Sequence, residues 1–277
     1  MRVLSFILAA GFAAAVVDAQ APSAAPSRPA FEVASVRPNT SGSASMNVGT
    51  QPGGRFNAVN IPLTQLIQNA YRVHDFQIIG GPAWLSDRFD VIAKAETEFA
   101  PGVPGTIGTQ WLMLQSLLAE RFQLVAHRET REMGIYALMR ARDDGRLGPR
   151  LRQSDVDCGA LTRPGATLPP PAAAAPGMRP IRPCMIRAGG GNVVAGASKL
   201  DVLIGNLSIE TRRIVENRTG LTGVFDIDLS WAPDGSTDTT RPSLFTALQE
   251  QLGLKLESTR APVEVLVIDS ISRLTPD

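Results

Sequence analysis

Histidine and cysteine are scarce, with two of each in 277 residues. No His-Glu-x-x-His occurs, which removes the zinc-peptidase arrangement of two imidazoles on one helix face. Two cysteines, Cys158 and Cys184, with no histidine nearby are too few ligands for zinc. There is no Gly-x-Ser-x-Gly nucleophile elbow. The single glycine run, Gly189-Gly190-Gly191, is not followed by the lysine and hydroxyl residue of a phosphate-binding loop. Charge of one sign is also missing: 27 Lys and Arg face 26 Asp and Glu, a formal net charge of +1. That excludes the basic excess of a dedicated nucleic-acid binder. Beyond the N-terminus no run is long and apolar enough to span a bilayer.

What is present points to an exported, folded chain. Hydrophobic residues make up 44% and charged residues 19%, which supports a packed core. Arg2 is followed by an apolar run over residues 3–17 and by the small-residue site Val17-Asp18-Ala19. This pattern predicts a signal peptide over residues 1–19, cleaved after Ala19, with Gln20 as the first mature residue. The apolar run, about 15 residues, is short for a membrane anchor of about 20. An even cysteine count in an exported chain predicts a Cys158–Cys184 disulfide. It would close a loop of about 25 residues and contribute roughly 3 kcal/mol.

Along the chain, residues 20–29 read as a flexible N-terminus rich in Ala, Pro and Ser. Two stretches then carry a similar order of signals. Phe89-Asp90-Val91-Ile92 and Phe225-Asp226-Ile227-Asp228 have strand character. Leu63, Leu66, Ile67, Ala70 and Tyr71 form an apolar helical stripe, with Asn60 expected as its N-cap and Pro62 in its first turn. Leu200, Leu203, Ile204 and Leu207 form another, with Ser198 and Asp201 expected as a capping box. Trp111, Leu114, Leu118 and Phe122 form a third stripe, mirrored by Leu244, Leu248 and Leu252. Residues 123–127 with 133–139, and 254–257 with 263–268, read as hairpins. The fold expected is therefore α+β: two duplicated β-α-β-β-α-β-β modules, over residues 30–142 and 191–277, each a small sheet covered by two helices. Residues 143–190, rich in Pro, Ala and Arg, read as an extended linker carrying the disulfide.

Several motifs carry a family resemblance. They are Phe31-Glu32-Val33-Ala34-Ser35-Val36-Arg37-Pro38-Asn39, Ile79-Gly80-Gly81-Pro82-Ala83-Trp84-Leu85 and Asp87-Arg88-Phe89-Asp90-Val91. Glu120-Arg121-Phe122, His127-Arg128-Glu129-Thr130, Leu147-Gly148-Pro149, Thr219-Gly220-Leu221-Thr222-Gly223 and Ala261-Pro262-Val263-Glu264 complete the set. Together they resemble the soil-associated, Solibacter-type paralogous family of exported bacterial proteins, which share a domain of unknown function. The resemblance covers nearly all of the mature chain. It implies export to the periplasm or medium and a sensory or interaction role, and it brings no catalytic residues. The module order is also similar to the short N-terminal docking domain of secretins and TonB-dependent transducers, through Pro62 to Ile67 and topology alone.

Few side chains stand out for chemistry. His74 and His127 lie in polar turn and hairpin contexts and read as solvated surface residues. Asp90 and Asp226 read as strand residues pairing locally. Asp226 and Asp228 share one face at period two but lack the dense acidic spacing of a calcium loop. Residues 140–187 hold nine Arg and four Asp, so 9 − 4 = +5. Arg140, Arg142, Arg146, Arg150 and Arg152 are the candidate contacts for an acidic envelope protein or an anionic glycan. Trp84, after Gly80-Gly81-Pro82-Ala83, is the candidate exposed aromatic. The reading is a non-enzymatic docking or sensory module of the envelope that uses an open sheet edge, with no cofactor, metal or nucleic acid assigned. The alternatives are a hydrolase with a carboxylate site at Asp90 or Asp226, and a sensor whose inter-module cleft closes on a small molecule.

Overall fold

A computed structural model describes residues 28–99, 108–162 and 178–274. The expected signal peptide and residues 20–27 lie outside the described residues, as does the 163–177 part of the expected linker. Along the chain come β1 (Val33–Pro38), β2 (Asn47–Gln51), β3 (Arg55–Pro62), α1 (Leu63–Tyr71), β4 (Ile78–Ile79), β5 (Arg88–Lys94), α2 (Thr109–Phe122) and β6 (Val125–Arg140). Then follow β7 (Leu151–Ser154), β8 (Ile186–Ala188), β9 (Asn192–Ser198), α3 (Asp201–Thr211), β10 (Val215–Asn217), β11 (Val224–Ser230), α4 (Leu244–Ala247) and β12 (Leu254–Ser270).

The first lobe is an antiparallel sheet, β1-β5-β3-β2, with α1 and α2 on one face. Strand alternation sends Phe89, Val91 and Ala93 of β5 inward and Arg88, Ile92 and Lys94 outward. Leu63, Leu66, Ile67 and Ala70 bury the predicted stripe of α1. Arg72 ends that helix in the left-handed conformation (φ 57°), its amide bonded to the Gln68 carbonyl. Leu114, Leu117, Leu118 and Phe122 of α2 close the core, and Phe122 meets Phe89 edge-on at 5.1 Å.

The second lobe repeats the layer arrangement with sheet β7-β11-β9-β8, packed on α3 and α4. Ser243 caps α4 by accepting the Thr246 amide, and the helix runs on into a π-type turn over Leu248–Leu252. Both expected caps elsewhere fail. Asn60 lies inside β3 at φ 58°, and its amide group donates to the Ser43 and Ser45 carbonyls. Ser198 bonds back to the Gly196 carbonyl instead of to α3.

The third sheet overturns the two-module expectation. Its order is β10-β6-β12-β4, so it takes strands from both halves of the chain. The two expected hairpins are not formed. Residues 125–140 and 254–270 are each one unbroken strand, antiparallel to each other from Val125↔Ser270 to Arg140↔Leu254. The polar stretch Glu129 to Glu132, read as a turn, has no Gly, Asn or Pro to reverse the chain, and it pairs with Val265 to Pro262. Pro262 is tolerated because β12 has only β6 beside it there. One end of this ribbon enters the first core through Leu124, Leu266 and Ile268; the other enters the second through Leu138 and Leu254. β4 runs parallel to β12 at the first end, and β10 parallel to β6 at the second. The protein is a β-rich fold of three four-stranded sheets and four helices among the described residues. The topology behind the likeness to secretin docking domains is thus not formed.

Candidate functional site

The Phe-Asp strands place their acids at backbone irregularities. The Asp90 carboxylate accepts the Asn60 amide (2.8 Å) and the Asn39 side-chain amide (2.7 Å). The Asp226 carboxylate accepts the Ala197 amide (3.0 Å) and the Arg152 guanidinium (2.8 Å). Asn60 and Ala197 both stand at positive φ, 58° and 48°. Each acid satisfies a backbone amide at a bulged strand end that no ladder partner reaches. Both carboxylates are consumed in holding the backbone.

Asp228 has a different task. It is fully buried, although it lies on the sheet face away from the helices. Residues 178–183 cross that face as a strap. Arg179 donates its amide (2.8 Å), Nε (2.8 Å) and an Nη (2.5 Å) to the Asp228 carboxylate, and its other Nη to the Asn192 side chain (3.1 Å). Ile181 and Pro183 of the strap are buried. Gly196 lies directly beneath, where an added Cβ would meet the Arg182 carbonyl oxygen at 2.3 Å. The Cys158–Cys184 disulfide (Cα–Cα 5.6 Å) fixes the strap's downstream end.

Between strap and sheet lies a recess of about 580 Å³, lined by Arg179, Ile181, Arg182, Met185, Arg187 and Asn192 among others. Arg179 is neutralised by Asp228. Arg182 and Arg187 are exposed and make no side-chain ion pair or hydrogen bond among the described residues. The recess therefore presents two guanidinium groups with no acid partner among the described residues.

The recess borders an open strand edge. β8 ends its sheet. Gly189 and Asn192 exchange both amide–carbonyl bonds, and Gly196 donates to Met185. By alternation the backbone groups of Ile186 and Ala188 point away from β9, toward solvent. Met185 and Ile186 are exposed beside them.

The candidate residues from the sequence do not gather here. Trp84 lies partly buried on a turn of the first lobe, with the Arg273 guanidinium over its ring at 5.1 Å. Arg140 donates to the Thr219 carbonyl, Arg150 to the Gln251 side chain, and Arg152 to Asp226. Arg146 lies 3.8 Å from Asp144, and Arg142 is exposed. Arg179, Arg182 and Arg187 lie outside the sequence candidates but belong to the same arginine excess. Their sole sequence signal was position: they flank Cys184, the downstream cysteine of the pair.

The two histidines differ. His127 is exposed, with Nδ1 2.9 Å from the Asp269 carboxylate. His74 is half-buried, stacks on Phe76 at 5.0 Å and caps a short turn reciprocally with Gln77. Burial pushes its pKa below the ordinary value; Asp75 opposes that and Arg72 adds to it.

Among the described residues no helix is long and apolar enough to cross a membrane. The profile of a family described as "Protein of unknown function (DUF3738)" matches residues 64–271, well over half of the chain, and the chain belongs to that family. No curated protein and no solved structure matches it.

Proposed function

We propose that the protein is an exported, non-enzymatic docking module of the bacterial envelope. It captures an acidic partner segment by strand addition at β8, steered by Arg182 and Arg187. The observation that carries this reading is the open backbone of Ile186 and Ala188 beside two arginines with no acid partner among the described residues. Strand addition supplies main-chain hydrogen bonds, and the arginines supply on-rate and selectivity. Arg140, Arg150 and Arg152 hold structure, and Arg142 and Arg146 are balanced by Asp143 and Asp144. Export is supported by the disulfide and by the residue 1–19 pattern.

The test is a pull-down with residues 20–277 from the host's own envelope and culture fluid. One enriched protein is expected, released at high salt and lost on Arg182→Glu/Arg187→Glu and on Ile186→Pro. The proline blocks only the outward amide, since the bonds to β9 come from neighbouring residues. Enrichment indifferent to both variants, or retention of a glycan without protein, overturns the reading. Amino-terminal sequencing of the exported chain should begin at Gln20; a retained Met1 overturns cleavage.

A further inference from the structure

Among the described residues nothing crosses the outer face of the first sheet, whereas the strap covers that of the second. Its central position is Ile92, 65% exposed, with Val33 at 64% and Val59 at 40% on the same face. Among the described residues nine large hydrophobics are exposed; three lie on this face and two, Met185 and Ile186, at β8. Five of the nine therefore fall at these two places, and the other four, Met46, Val125, Ile209 and Phe245, lie elsewhere.

The register places a basic rim around these three. Lys94 is opposite Val33 and Arg55, Arg37 is on β1, and Ser35 and Asn57 flank Ile92. Lys94 shares Glu32 at 3.4 Å. Arg37 and Arg55 are exposed and have no side-chain partner among the described residues. Two acids share the face: Glu32 beside Lys94, and Asp90, which accepts from Asn39 and Asn60 and stands opposite Arg37, so three cations face two anions here, 3 − 2 = +1.

We infer that this face is a second docking surface, for an extended partner segment with apolar residues between acidic ones. The second lobe supplies the template. There the corresponding face takes an extended Arg179-Pro180-Ile181-Arg182-Pro183 strap whose cation meets Asp228. In the first lobe Ile92 stands where Asp228 does, two residues after the Phe-Asp pair, and free arginines replace the acid. The complement is thus reversed: apolar at the centre and acidic at the flanks. A second copy of this chain fits poorly, because two basic rims would meet.

The surface does not depend on β8, so its test separates the two. Labelled synthetic peptides with valine and proline between two aspartates, and a control with lysines in place of the aspartates, are titrated into residues 20–277 by fluorescence anisotropy. The acidic peptide should bind and the lysine control should not. Ile92→Asp should weaken binding roughly tenfold or more, and Arg37→Glu/Arg55→Glu should do the same and flatten the salt dependence. Arg182→Glu/Arg187→Glu should leave it unchanged. Equal binding of both peptides overturns the inference, as does loss that follows Arg182 and Arg187 instead of Ile92. So does sedimentation showing a dimer that Ile92→Asp dissolves.

Discussion

The two lobes put opposite residues at one strand position. In the first, Ile92 lies in solvent; in the second, Asp228 is sealed under Arg179. Both follow a Phe-Asp pair whose acid fixes a positive-φ residue, so the local backbone problem is solved alike in each lobe. What differs is the covering of the outer face. The strap brings its own cation, and an acid beneath it gains a three-bond partner out of water. The first lobe's face is open to water, with Arg37, Arg55 and Lys94 around it, so an acid there would be solvated rather than sealed. Strand alternation decides which face a side chain takes, and on the outer face burial is then set by what crosses it.

The largest expected effect comes from breaking the covered lobe. Arg179→Ala keeps the backbone amide bond but removes the guanidinium that neutralises the buried Asp228 carboxylate, and should cost about 3 kcal/mol, read by urea unfolding. Ile92→Ala at the matching place should cost far less. Reducing the disulfide, or replacing both cysteines by serine, should cost about 3 kcal/mol and raise proteolysis between positions 178 and 183. An unchanged unfolding midpoint would mean that the strap is held by Asp228 alone. Gly196→Val should cost about 2 kcal/mol, because its side chain enters the space of the Arg182 carbonyl; Val59→Gly, at the uncovered counterpart, should lose only strand propensity. A weaker effect is expected from pH. His74 has a folded pKa below its unfolded value, so the unfolded chain takes up the proton first. That contribution is intact above about pH 6.5 and is lost as pH falls through the window below it. His74→Gln should remove this slope from the midpoint measured against pH. Smallest of all, Ile92→Asp should shift stability by under about 0.5 kcal/mol. A larger loss would show that the face is covered in solution.

Helix faces were legible because they are local. Leu63, Leu66, Ile67 and Ala70 announce their own burial by spacing, as do Leu114, Leu118 and Phe122. The disulfide was legible from cysteine count. The long ribbon was not. Residues 129–132 are polar because the middle of the ribbon has little packed over it, and polarity in the middle of an apolar pattern reads as a turn. The parallel pairs of β4 with β12 and β10 with β6 join residues far apart in sequence, which periodicity cannot express. The arginine excess was legible as a sum, but which arginines stay free was not. That depends on Asp226, Asp228 and Gln251, which take Arg152, Arg179 and Arg150 out of play.

Both described ends of the chain rest on the first lobe. The Pro29 carbonyl accepts the Ser116 hydroxyl, the Ser272 amide bonds the Phe122 carbonyl, and Arg273 pairs with Asp87. The arginine recess belongs to the other lobe. Between Ala126, packed on the first core, and Tyr136, packed on the second, β6 runs 136 − 126 = 10 residues, about 33 Å at roughly 3.3 Å per residue. Arg212 of α3 also meets Asp75 of the first lobe at 2.8 Å. A tether at either described end would therefore hold the protein by its first lobe, with the recess on the lobe that the ribbon and this ion pair set beside it.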